Sequence, residues 1–179
     1  MKQLSLHGTA LKISGSGPPV ILLHGVGLDQ SILAGQVRAL APDFQAITYD
    51  LLGHGRSAPI GANAGLADWV NQLDDVTRGL ALEKFSVVGF SFGGLIAQAY
   101  AAQHSALIDK LVLMSTIYDR NEVQRTSILS RLETVKREGP QATIPTALSR
   151  WFSAASATSA RRRAQRRCSK ASSTRGMWS

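Results

Sequence analysis

The 179-residue sequence predicts an α/β fold, with a mostly parallel sheet and helices on both faces. Two features carry this expectation. Short apolar runs alternate with stretches at helical spacing, joined by short connections, which is the order that builds a parallel sheet covered on both sides. The runs are also continuous in hydrophobicity rather than alternating, as strands buried on both faces are.

The elements follow in order along the chain. Residues 2–14 read as two short strands around Gly8, an opening hairpin. Gly15-Ser16-Gly17-Pro18-Pro19 is a turn cluster, and Val20 to Leu23 is the first buried strand. A helix over Ser31–Leu40 and a strand over Gln45–Tyr49 come next, the strand ending at Asp50. A glycine-rich loop covers residues 53–65. Leu66, Trp69, Val70, Leu73, Val76 and Leu80 recur at helical spacing, which predicts a helix over 66–82. Strand 85–90, helix 92–104 and strand 108–114 complete about six strands. From Asp119 to about Phe152 the pattern is helical and more charged.

Composition changes after Ser153. Residues 154–179 carry six Arg, one Lys and no acid, so +7 of the net charge of +8 belongs to them. They offer almost no large aliphatic side chains, so a disordered basic tail is expected over 153–179. Both a natural basic tail and a frame-shifted end of a GC-rich gene fit this stretch. The expected organisation is thus 1–118 as core, 119–152 as the start of a helical cap, and then the tail. The rest of the chain is close to neutral, and no aromatics interleave the tail arginines, so nucleic acid is not an expected partner. Cys168 is the only cysteine, the N-terminus lacks a signal-peptide pattern, and no run is apolar enough to be a good membrane span. A soluble cytoplasmic protein is expected.

Three glycine-rich motifs carry the chemistry. Gly89-Phe90-Ser91-Phe92-Gly93 matches G-x-S-x-G, a pattern that chance alone supplies in roughly one chain in twenty. Its position makes it specific, because it falls where strand 85–90 meets helix 92–104. That is the strand–turn–helix setting in which a serine is lifted out of a strained turn as a nucleophile. The helix N-terminus behind it offers N–H groups to a developing oxyanion. His24-Gly25 ends strand 20–23 and leads into Val26-Gly27. Asp50-Leu51-Leu52-Gly53-His54-Gly55-Arg56-Ser57 follows strand 45–49 in the pattern D-x-x-G-x-G-x-S.

These motifs, in this order and spacing, resemble the α/β-hydrolase superfamily over roughly residues 3–152. The resemblance implies Ser91 as nucleophile and the backbone N–H groups of Val26 and Phe92 as the oxyanion hole. It implies a bracing role for His24, Asp50, Arg56 and Ser57. Leu132 to Gly139 and Leu148 to Phe152 resemble the start of the cap of 3-oxoadipate enol-lactonases and related esterases. That implies a small-molecule ester or lactone as substrate, with no cofactor or metal.

A serine nucleophile needs a base, and the base needs an orienting acid. In the superfamily the order is Ser, then Asp or Glu, then His. No histidine follows His104, and His7, His24 and His54 belong to the hairpin and the motifs. The sequence therefore reads as C-terminally truncated and weakly active or inactive. Asp119, shortly after strand 108–114, is the candidate acid. A non-catalytic ligand- or partner-binding remnant of the same fold is the alternative, and exposed sheet would favour association.

Overall fold

The computed structural model describes residues 2–61 and 63–151. The expected tail, 153–179, lies outside the described residues. A six-stranded sheet forms the centre. Its strands are β1 (Lys2–Leu6), β2 (Thr9–Ser14), β3 (Pro19–Leu23), β4 (Gln45–Tyr49), β5 (Phe85–Phe90) and β6 (Ile108–Met114), in the spatial order β1-β2-β4-β3-β5-β6. Strands β3 to β6 run parallel to one another, while β1 and β2 form an antiparallel hairpin whose β2 pairs antiparallel with β4. The chain leaves β3 for β4 on one side and returns to β5 on the other. The carboxyl end of β3 is therefore a topological switch point, where adjacent loops part and leave a crevice.

Successive side chains of β3 face opposite ways, and each set has its own cover. Ile21 and Leu23 join Ile47, Val87 and the apolar stripes of α2 (Leu66–Gly79) and α3 (Phe92–Gln103) in the larger core. Val20 and Leu22 pack with Leu33 and Ala46, with α1 (Ala34–Leu40) contributing Val37 and Leu40. Helices thus cover both faces, as the continuous apolar runs require. The helix expected over 31–40 is divided. Asp29 accepts the Ser31 N–H and starts a 3-10 turn over Gln30–Leu33, and only Ala34–Leu40 is α-helical. Helix α2 stops at Gly79, short of the expected 82, because Ala81 takes a left-handed φ of 49° and turns the chain toward β5.

β6 is the sheet edge, and it differs from its neighbours. Leu111, Val112, Leu113 and Met114 are all exposed, so both faces of the strand are open. Beyond it, α4 (Glu122–Glu138) begins at a reciprocal Asn121–Gln124 capping box and buries only Val135. The last element, α5 (Ile144–Trp151), turns Ile144 and Leu148 inward. No helix among the described residues is long and apolar enough to cross a membrane.

Candidate active site

Ser91 stands between β5 and α3 with φ 53° and ψ −114°, a backbone conformation that an L-residue adopts only when its surroundings enforce it. The enforcement is local. The Ser91 N–H donates to the Met114 carbonyl at the end of β6 (2.9 Å). The Ser91 carbonyl accepts from the Gly94 N–H (3.0 Å) and from Thr116 Oγ1 (2.8 Å). The flanking glycines are required by close approach. A Cβ on Gly89 would lie 2.5 Å from the Gly93 carbonyl oxygen, and one on Gly93 would lie 2.7 Å from the His24 carbonyl oxygen and from Leu23 Cβ. The G-x-S-x-G spacing is therefore a packing requirement of the turn.

The loop after β3 meets this turn. A Cβ on Gly25 would sit 3.1 Å from Ser91 Cβ, so the loop's backbone passes directly against the serine. Val26 follows, half exposed, and its N–H is donated to no group among the described residues. The next amide, Gly27 N–H, is taken by His54 Nε2 (3.1 Å). Phe92 opens α3, where a first-turn N–H lacks an intrahelical acceptor. Its ring meets Trp69 edge to face at 4.9 Å, and Trp69 Nε1 donates to the Leu52 carbonyl. Helix α5 adds an apolar wall, with Ile144 and Leu148 packing with Leu28 and Phe90, the neighbours of the loop and of the serine.

The four histidines of the chain fall in two groups. His24 and His54 are fully buried, with ring centroids 5.3 Å apart. His24 Nδ1 is bonded to the Gly25 carbonyl (2.8 Å), and Nε2 accepts the Leu51 N–H (3.0 Å). His54 Nδ1 is bonded to the Leu52 carbonyl (3.0 Å), and Nε2 accepts the Gly27 N–H. In each ring one nitrogen is committed as donor and the other as acceptor, which fixes the neutral tautomer. Burial lowers the pKa of both, that of His54 to about 4 with the nearby His24 adding to the shift. Neither has a lone pair free for a serine proton, so both tie the loops after β3 and β4 together. His104 ends α3, and the twelve residues of that helix carry it about 18 Å from Ser91. There it stacks on Tyr100 at 4.4 Å. His7 lies in the β1–β2 turn, and β2 is separated from β5 by β4 and β3, a lateral distance of roughly 14 Å.

Asp119 is also outside this cluster. Its side chain is exposed, accepts the Arg120 N–H (2.7 Å) and pairs with Arg125 at 3.5 Å. It lines a shallow 220 Å³ cavity with Leu95, Ile117, Tyr118, Arg120 and Arg125, none of them a base. Asp50, Arg56 and Ser57 brace the loop after β4. Asp50 accepts the N–H groups of Gln30 and Arg56 (both 2.9 Å), and Ser57 Oγ donates to the Asp50 carbonyl (2.5 Å). Gly55, at φ 55°, leaves the space that the Asp50 carboxylate fills.

Sequence reasoning missed the buried amides. Gln30 donates to the Ala10 carbonyl and accepts from Thr48 Oγ1. Gln72 accepts the Leu52 N–H and donates to Thr9 Oγ1 and to the Asp50 carbonyl. The only sequence signal for Gln72 is its place beside Leu73 and Val76, on the apolar side of α2.

Comparison with known proteins agrees with the fold. The chain is 30% identical over 151 residues to the (E)-2-((N-methylformamido)methylene)succinate hydrolase of Acinetobacter baylyi, an overlap covering 84% of this chain and 57% of that protein. It superposes on the enol-lactonase of Burkholderia xenovorans LB400 with a TM-score of 0.83 at 25% identity, covering 97% of this chain and 68% of that one. A thermophilic esterase from Thermogutta terrifontis gives a TM-score of 0.79 at 24% identity. The chain spans between a third and just over half of the length of the curated relatives it matches, and about two-thirds of these solved structures. The model of the alpha/beta hydrolase fold family matches residues 18–167. With the sheet order, the strained serine turn and this match together, the chain belongs to the alpha/beta hydrolase fold family.

Proposed function

We propose that this chain carries the nucleophile half of an ester or lactone hydrolase site. Ser91 is its nucleophile, and the N–H groups of Val26 and Phe92 form its oxyanion hole. The carrying observation is the strained backbone of Ser91, φ 53°, held at a strand-to-helix turn with the Gly25-Val26 loop packed against it. A carbonyl carbon attacked by Ser91 Oγ would develop negative charge on its oxygen beside the α3 N-terminus, where charge is best stabilised. The similar proteins are named as a lactonase, esterases and hydrolases of a carbamate and of a substituted succinate. That range favours a small carbonyl substrate without selecting one. The segment 119–152 serves as the start of a cap, with Ile144 and Leu148 as its contact with the site.

Turnover by this chain alone is weak. Both buried histidines have their nitrogens bonded to backbone groups, and the other two lie far from Ser91. Loss of the base in a serine protease costs about 10⁶-fold in kcat, whereas an oxyanion hole and binding alone retain about 10³–10⁴-fold over water. Asp119 is the acid candidate within the chain, with no histidine to orient. The committed histidines also favour a second reading, in which the fold binds a carbonyl ligand without turning it over. Hydrolysis of a p-nitrophenyl ester decides between the two. Slow release that Ser91→Ala abolishes supports the hydrolase reading. Saturable binding with release equal to that of Ser91→Ala supports the second.

A further inference from the structure

We propose that Thr116 is a positioning residue for the oxyanion donor, Phe92 N–H; the inference rests on the proposed role of Ser91. The peptide unit joining Ser91 to Phe92 is planar and trans, so the direction of the Ser91 carbonyl fixes the opposite direction of the Phe92 N–H. That carbonyl is held from two sides, by the Gly94 N–H at 3.0 Å and by Thr116 Oγ1 at 2.8 Å. The Gly94 bond belongs to the helix turn itself. The Thr116 bond is the only one of the two made by a side chain, and it comes from a separate segment, just past β6.

Three features bring Thr116 there. Ser115 takes φ 48°, which turns the chain sharply after Met114. Gly94 has no side chain, and a Cβ on it would lie 2.5 Å from Thr116 Cβ and 2.6 Å from Thr116 Oγ1. The Ser91 N–H is bonded to the Met114 carbonyl, so residues 114–116 grip the peptide units on both sides of the serine. A hydrogen bond accepted by a peptide carbonyl also polarises that peptide and strengthens its N–H as a donor. Thr116 thus aims the Phe92 N–H and makes it a better donor as charge develops on a substrate oxygen, without touching the substrate.

The test is Ser91 acylation by p-nitrophenyl acetate in the full chain, with the rate constant separated from the half-saturating concentration. Thr116→Val keeps the shape and removes the donor, Thr116→Ala removes both, and Thr116→Ser keeps the donor. Thr116→Val and Thr116→Ala are expected to slow acylation about 5- to 10-fold, the rate equivalent of one neutral hydrogen bond. The half-saturating concentration stays unchanged, and Thr116→Ser stays near the wild-type rate. Wild-type acylation by either donor-free variant, melting as wild type does, overturns the proposal. So does a Thr116→Ser variant as slow as Thr116→Ala, because packing would then account for the loss. If Ser91→Ala consumes the ester as fast as wild type, the nucleophile reading fails instead, independently of Thr116.

Discussion

Acid should unfold this protein through His54. The ring is fully buried, and its pKa is lowered from 6.5 to about 4, first by burial and then by the neighbouring His24. Between those two values the unfolded chain binds a proton that the folded chain refuses. The contribution of His54 to stability is therefore complete above about pH 6.5 and is lost as pH falls toward about 4, where it levels off. Because the ring has no exposure, solvent screening gives no discount. The shift corresponds to about 3 kcal/mol in full, most of which is gone by about pH 4.5. His24, also lowered mainly by burial, acts in the same direction. Urea unfolding at about pH 7.5 and about pH 4.5 measures the loss. His54→Gln is the control, since an amide can still accept from Gly27 and donate to Leu52 but does not titrate. The variant should be somewhat less stable at neutral pH, and over this range wild type should lose more than the variant does, by most of that roughly 3 kcal/mol. An equal loss in both proteins would refute the assignment of the acid response to this ring.

Three other outcomes follow from the same geometry. Gly93→Ala places a methyl group 2.7 Å from the His24 carbonyl and Leu23 and should lower stability by about 3 kcal/mol in urea unfolding, while removing Ser91-dependent ester cleavage. Leu148→Ala removes the buried contact of α5 with Leu28 and Phe90 and should cost about 2 kcal/mol locally, seen as faster amide exchange in α5 with the β3–β5 amides unchanged. Asp119→Asn breaks only an exposed pair with Arg125, so its melting temperature and residual esterase rate should stay close to wild type; a large fall in rate would show that Asp119 orients a catalytic group.

The sequence made the central strands legible because their cover is two-sided. Val20–Leu23 and Phe85–Phe90 are continuous apolar runs, and each is followed by a glycine motif whose spacing turns out to be set by close contact. Gly25 against Ser91 Cβ and Gly93 against the His24 carbonyl are examples, and Gly55 against Asp50 in the motif after β4 is another. What was not legible depends on long-range partners. Gln72 reads as an ordinary polar position on an amphipathic helix, yet it satisfies the Leu52 N–H and the Asp50 carbonyl from across the loop. The periodic Leu80 and Leu82 extended the expected helix beyond its end, because periodicity carries no information on the left-handed turn at Ala81. β6 reads from its composition like its buried neighbours, and only the sheet order shows it as an open edge. His24 was legible as a brace for its loop, but not the bonding of both its nitrogens, since the Leu51 N–H that Nε2 accepts comes from a different motif.

Covalent capture tests the central claim most directly. The chain is incubated with p-nitrophenyl acetate, quenched in acid and digested, and the acetylated peptide is identified by mass spectrometry. A slow acetylation confined to Ser91, absent from both Ser91→Ala and Gly93→Ala, is the predicted result: the strained turn and the oxyanion donors activate the serine without a histidine base. Acetylation spread over surface lysines, at a rate unaffected by Ser91→Ala, would contradict the account.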